Sequence, residues 1–116
     1  MSEDDRVAAV EELGRDSRDV AIDALLAAAA SPSTVVAMAS VRALRGRPCG
    51  RVGPELVRRL AHPEWQRRAW AAKVLGENGC TTTAPALRRR LQDEPDPRVR
   101  VQLAAALASL SRGTPG

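Results

Sequence analysis

The sequence has no phenylalanine and no tyrosine, and only two tryptophans, one histidine and one lysine in 116 residues. Without large aromatic rings the core must be made of Ala, Leu and Val, and its elements must lie close together. The longest apolar run, Leu25 to Ala30, is far short of the ~20 residues that cross a bilayer. No membrane role is expected. The opening Met-Ser-Glu-Asp-Asp is acidic and resembles no secretory signal. The two cysteines, Cys49 and Cys80, are therefore expected to be reduced thiols in a cytoplasmic protein. Zinc wants four clustered N or S ligands, which two Cys and one His cannot supply. A nucleophile would have to rely on His62, and no glycine-rich phosphate loop occurs. No metal, no cofactor, no catalytic residue and no enzymatic activity are expected.

The length suits one domain. Its net charge of +4 is unevenly spread. Residues 1–30 carry three Arg against eight acids, and residues 31–61 carry six Arg against one acid. Residues 62–92 carry six cations against two acids, and residues 93–116 balance three against three.

Displacing the chain by 31 residues places Leu44 on Leu75, Cys49 on Cys80, Pro54 on Pro85, Leu56 on Leu87 and Arg58-Arg59 on Arg89-Arg90. The same shift backwards places Leu25 on Leu56, and a shift of 32 places Pro63 on Pro95 and Ala72 on Ala104. A period shared along the chain marks stacked repeats. The boundaries fall near 1–30, 31–61, 62–93 and 94–111, in a single domain over 1–111 with a flexible tail at 112–116. Each unit reads as two helices, A then B. Ser31-Pro32, His62-Pro63 and Asp96-Pro97 are taken as helix starts, a polar cap followed by proline. Gly46, and Gly76 or Gly79, are taken as helix ends. The expected helices are 4–14, 19–30, 33–46, 52–61, 64–77, 83–93 and 97–111.

The stretches Asp96-Pro97-Arg98-Val99-Arg100, Ala71 to Gly76, Ala84-Pro85-Ala86-Leu87 and Leu91 resemble short HEAT-like repeats of the phycobilisome-lyase type. That resemblance implies an all-α, right-handed solenoid of about three and a half helix pairs, seven helices in all, with B helices lining a concave side. It implies that Arg68 and Arg100 face the inter-repeat loops, where they pair with acids such as Asp96 or Glu64 and cap carbonyls.

Three features stand out as candidate binding residues. Arg51, Arg58, Arg59, Arg88, Arg89 and Arg90 form a stripe along two B helices, suited to carboxylates or phosphates. A solvated polar face is the plainer account of the same residues. Trp65, Arg67 and Trp70 break the repeat pattern. Trp65 is expected at an exposed helix start, as an apolar anchor, and Trp70 among alanines. Arg67 occupies an inward position, and stacking on Trp70 is one expected contact. A disulfide between Cys49 and Cys80 is disfavoured, because stacked helices lie ~8–10 Å apart and a bridge needs Cα atoms within ~7 Å. The last helix carries a second stripe, Val101, Ala105 and Ala108, read either as a modest cap or as a dimer or partner surface.

The expected function is a non-enzymatic protein-binding adaptor or regulator. Its partner would be an acidic segment held on the Arg-lined face. Nucleic-acid binding by the same arginines is the alternative; it is less favoured because no aromatic ladder is interleaved and the first repeat is acidic. A lyase-like or chaperone-like ligand holder is the third reading.

Overall fold

The computed structural model describes residues 1–112. Seven α-helices follow one another: α1 (Glu3–Leu13), α2 (Asp19–Ala28), α3 (Thr34–Ala43), α4 (Cys49–Arg59), α5 (Trp65–Glu77), α6 (Ala84–Asp93) and α7 (Pro97–Arg112). A single 3-10 turn, Thr81–Thr83, precedes α6. The odd-numbered A helices form one closely packed layer, each touching the next. In the B layer α2 touches α4 lightly, and α4 and α6 barely approach one another. The result is a slab of 45 × 30 × 16 Å. The last helix runs one residue further than expected, taking in Arg112, and the rest of the expected tail, residues 113–116, lies outside those described.

The repeat becomes a ladder of leucines. Leu25, Leu56 and Leu87, one per B helix, are almost wholly buried, as are Leu44 and Leu75 at the ends of α3 and α5. Their end-of-ladder counterparts Leu13 and Leu107 are only half-buried, because each has a repeat on one side alone. A buried Leu contributes about 1.5–3 kcal/mol, so this column supplies much of the cohesion that absent aromatics cannot. Ala72 is buried and its counterpart Ala104 exposed for the same reason: α7 covers Ala72, and no described helix covers Ala104.

Helices α3 and α5 begin within one residue of expectation, but their caps lie two residues beyond those expected. Ser31 Oγ accepts a hydrogen bond from the Ser33 N–H (3.1 Å), His62 Nδ1 from the Glu64 N–H (3.0 Å) and Glu94 Oε2 from the Asp96 N–H (3.0 Å). Ser31-Pro32-Ser33, His62-Pro63-Glu64 and Glu94-Pro95-Asp96 are thus one repeated turn lying before the helix. Ser33 and Glu64, not Ser31 and His62, cap α3 and α5. Asp96-Pro97 does begin α7, but Asp96 corresponds to Ser33 and Glu64. Helix α4 begins at Cys49 rather than at 52 and carries Pro54 within it.

Two glycines settle the helix ends. Gly46 and Gly79 have φ of +77° and +69°, a backbone region that side chains disfavour, and each lies just beyond an A helix. Gly76 has a different task. A Cβ there would lie 2.7 Å from Ala106 Cα, so the bare backbone lets α5 and α7 cross closely. Gly76→Ala should destabilise by about 1–3 kcal/mol through overpacking, despite the better helix propensity of alanine. Gly50, in α4 with open space around it, should respond oppositely, with Gly50→Ala stabilising by about 0.5–1 kcal/mol. Urea titrations of the two variants would compare the signs directly.

The cysteines overturn both expectations placed on them. Cys49 and Cys80 are joined by a disulfide with Cα atoms 5.4 Å apart. The axis-to-axis spacing of stacked helices was the wrong measure, because both residues sit at element ends, Cys49 at the first residue of α4 and Cys80 just before the 3-10 turn. Asn78 holds the same turns together. Its Nδ2 donates to the carbonyls of Leu44 (3.1 Å) and Arg47 (3.2 Å), and its Oδ1 accepts from the Gly46 N–H (2.8 Å). With the thiols bonded, the argument for a reducing compartment lapses. No helix among the described residues is long and apolar enough to cross a membrane.

Candidate functional site

The six stripe arginines lie on α4 and α6, as their spacing requires. Four of them are engaged within the chain. Arg51 pairs with Asp19 (3.5 Å) and with Asp23, both on α2. Arg58 and Arg59 share Glu55 at 3.2 and 3.1 Å, and Arg90 pairs with Glu94 at 3.1 Å. Arg58 stays 75% exposed while the Arg59 side chain is 14% exposed, so the adjacent pair points in two directions. Arg88 and Arg89 are exposed and have no acidic partner within 4 Å among the described residues. The stripe therefore presents two uncommitted guanidiniums rather than a continuous ladder of six.

Arg67 is buried, as its inward register requires, yet it does not stack on Trp70. Its Nη1 donates to the Ser31 carbonyl (2.8 Å) and its Nη2 to the Pro32 carbonyl (3.2 Å), while Nε lies 2.8 Å from the Glu64 carboxylate. Glu64 also accepts from the Thr34 hydroxyl, which is the leading reason its carboxyl lies below the usual range. Arg67 thus ties repeat three to the turn that opens repeat two. Arg100 acts more locally, donating to the Leu91 (2.8 Å) and Glu94 (3.2 Å) carbonyls at the end of α6 and in the turn before α7, which is the capping role expected of it.

Arg68 finds a different acid from those expected. Its Nε and Nη2 form a two-pronged bond to Glu94 (2.8 and 3.0 Å), and its Nη1 donates to the His62 and Pro63 carbonyls (2.8 and 2.9 Å). The Glu94 side chain is wholly buried and also accepts from Arg90 Nε (3.1 Å) and the Asp96 N–H. Burial by itself would raise its carboxyl; the Arg68 hydrogen bonds, the Asp96 N–H and the two guanidinium charges outweigh burial and hold it below the usual range. His62 lies below its ordinary value because burial, and then the charge of Arg67, disfavour the imidazolium. No group of three or more His, Cys, Asp or Glu that could hold a metal occurs among the described residues.

The tryptophans meet in one place. A cleft of about 250 Å³ runs across the A layer, lined by Met38 of α3, Trp65, Ala69, Trp70 and Lys73 of α5, and Arg98 of α7. Its surface is mainly apolar. Trp65 is not the exposed anchor expected at a helix start. It is half-buried, with the Arg98 guanidinium 3.7 Å from its ring centroid. Arg98 is itself held by Asp96 (2.8 Å), whose carboxyl is pulled down to about 2 chiefly by that contact. Trp70 has three cations near its ring: Arg42 at 5.6 Å, Arg45 at 5.1 Å and Lys73 at 5.0 Å.

Sequence reasoning found the two tryptophans and missed their cations. One signal was legible: Arg42 and Lys73 stand 31 residues apart, at the same repeat position, and flank Trp70 at the corresponding place on neighbouring helices.

Helix pairs stacked at a fixed period around a ladder of leucines define an α-helical repeat protein. A family model described as HEAT repeats matches residues 53–116, more than half of the chain, and the chain belongs to that family. No curated protein and no solved structure matches it. HEAT repeats are commonly protein-interaction modules and are generally non-enzymatic.

Proposed function

We propose that this protein is a non-enzymatic protein-binding module that takes an acidic, apolar-containing segment of its partner in the tryptophan cleft of the A layer. The observation that supports it is the convergence of both tryptophans in an apolar cleft whose nearest charged neighbours are mostly cations. Trp and Arg are the residue types that dominate binding energy at interfaces. An apolar side chain would enter between Trp65 and Trp70, and flanking carboxylates would meet Arg42 and Lys73. Arg88 and Arg89, the uncommitted pair of the B layer, are the rival site for the same kind of partner and lie outside the cleft. Nucleic acid is a poorer fit for the stripe, because four of its six arginines are already engaged by carboxylates within the chain. The lyase-type resemblance leaves ligand holding in a concave groove as a further, weaker reading.

A random peptide library displayed against the protein tests the reading. Enriched peptides should pair Asp or Glu with one large apolar residue. Enrichment should vanish for Trp65→Ser with Trp70→Ser and survive Arg88→Glu with Arg89→Glu. Loss only in the arginine variant would move the site to the B layer and overturn the assignment.

A further inference from the structure

Resting on the reading that the cleft takes an acidic segment, we propose that its Trp70 end is a subsite for a phosphorylated side chain of that segment. Three cations, from α3, the turn after it and α5, gather around one ring, with centroid distances of 5.0 to 5.6 Å. The acid that pairs with one of them is Glu77, 3.4 Å from Arg45. Arg42 on α3 and Lys73 on α5 have no acidic partner within 4 Å among the described residues. Two positive charges thus remain uncompensated beside an aromatic face.

Several arginines elsewhere are matched, since Arg51 has two carboxylates and Arg68 and Arg90 share one. Around Trp70 only Arg45 is matched, and the two remaining cations stand against the same ring. The negative face of the indole holds the cations in place without neutralising them. A carboxylate would leave one charge unanswered, whereas a phosphomonoester carries about −1.5 to −2 at neutral pH and answers both. The flat fork of Arg42 and the three-donor head of Lys73 are both donors suited to phosphate oxygens. The apolar part of the cleft continues from Trp70 to Ala69 and Trp65, so an apolar residue near the phosphorylated one would occupy it.

Intrinsic fluorescence supplies the readout, since the chain has two tryptophans and no tyrosine. Three degenerate peptide pools, rich in Asp and Glu around a fixed Leu, would differ at one position: serine, phosphoserine or aspartate. The phosphoserine pool should bind at least tenfold more tightly than the serine pool and severalfold more tightly than the aspartate pool. In Arg42→Gln with Lys73→Gln that advantage should fall below threefold. In Arg88→Gln with Arg89→Gln it should persist. Equal binding of the serine and phosphoserine pools to the wild-type protein overturns the subsite and leaves the acidic-segment reading standing. Failure of all three pools overturns both. Tighter binding of a single-stranded oligothymidylate than of the phosphoserine pool overturns both in favour of nucleic acid.

Discussion

Glu94→Ala is expected to lower the stability of the fold by about 3–5 kcal/mol, the range for removing one partner of a buried ion pair. The reason lies in what the carboxylate leaves behind. Arg68 is buried and aimed at it through two bonds, and Arg90 and the Asp96 N–H converge on the same oxygens. Without the acid, two guanidiniums face each other across an uncharged gap. Domains of this size have about 5–15 kcal/mol in total, so a large share of the stability would go. Urea unfolding at pH 7 measures the loss. Arg68→Met with Glu94→Leu, which removes both charges and fills the space, should recover most of it. A Glu94→Ala variant within about 0.5 kcal/mol of the wild type would show that the network is not formed.

The same carboxylate sets an acid limit. Its folded value lies below the ordinary 4.5, so the folded state takes up a proton less readily than the unfolded chain. The stabilisation is therefore complete above about pH 4.5 and fades as pH falls through the folded value. Asp96 and Asp16, each drawn down to about 2 by a neighbouring arginine, act in the same direction below about pH 3.8. His62, held below 6.5, begins the decline earlier, because the unfolded chain takes up its proton first. Stability measured from pH 7 to pH 3 should fall throughout. Glu94→Gln should flatten the part of the fall below pH 4.5.

Reduction of Cys49–Cys80 is the second large effect. The bond closes a loop of 31 residues. Constraining the unfolded chain over such a loop stabilises the folded state by about 3–4 kcal/mol. Cys49→Ser with Cys80→Ser should show that loss in urea while the far-ultraviolet circular dichroism of the native state is retained, because Asn78 still joins the same turns by three hydrogen bonds. Alkylation followed by mass measurement should label no thiol until a reductant is added. Labelling of both cysteines in the untreated native protein would contradict the bridge.

The division between what was legible and what was not follows the range of the physics. Leu25, Leu56 and Leu87 could be placed in the core from their spacing, because a helix buries one face wherever it packs. The inward register of Arg67 was visible in the same way. Its partners were not, since the Ser31 and Pro32 carbonyls belong to a turn more than 30 residues earlier. Trp65 and Trp70 could be singled out as departures from the repeat. Only the approach of α3 and α7 to α5 decided that both would line one cleft and that Arg98 would cover Trp65. The stripe of arginines was correctly placed on the B helices, and its pairs with Glu55 and Glu94 lie at helical spacing, but that Asp19 and Asp23 of α2 take up Arg51 depends on how α2 packs beside α4.

The sequence by itself determined the repeat length, the seven helices and the leucine ladder, all of which rest on spacing along the chain. Tertiary structure decided the disulfide, the acid that binds Arg68 and the surroundings of the tryptophans. Those depend on distances between turns of neighbouring repeats. A period in sequence says that such turns are equivalent; only the stacking of one repeat on the next says how close they come.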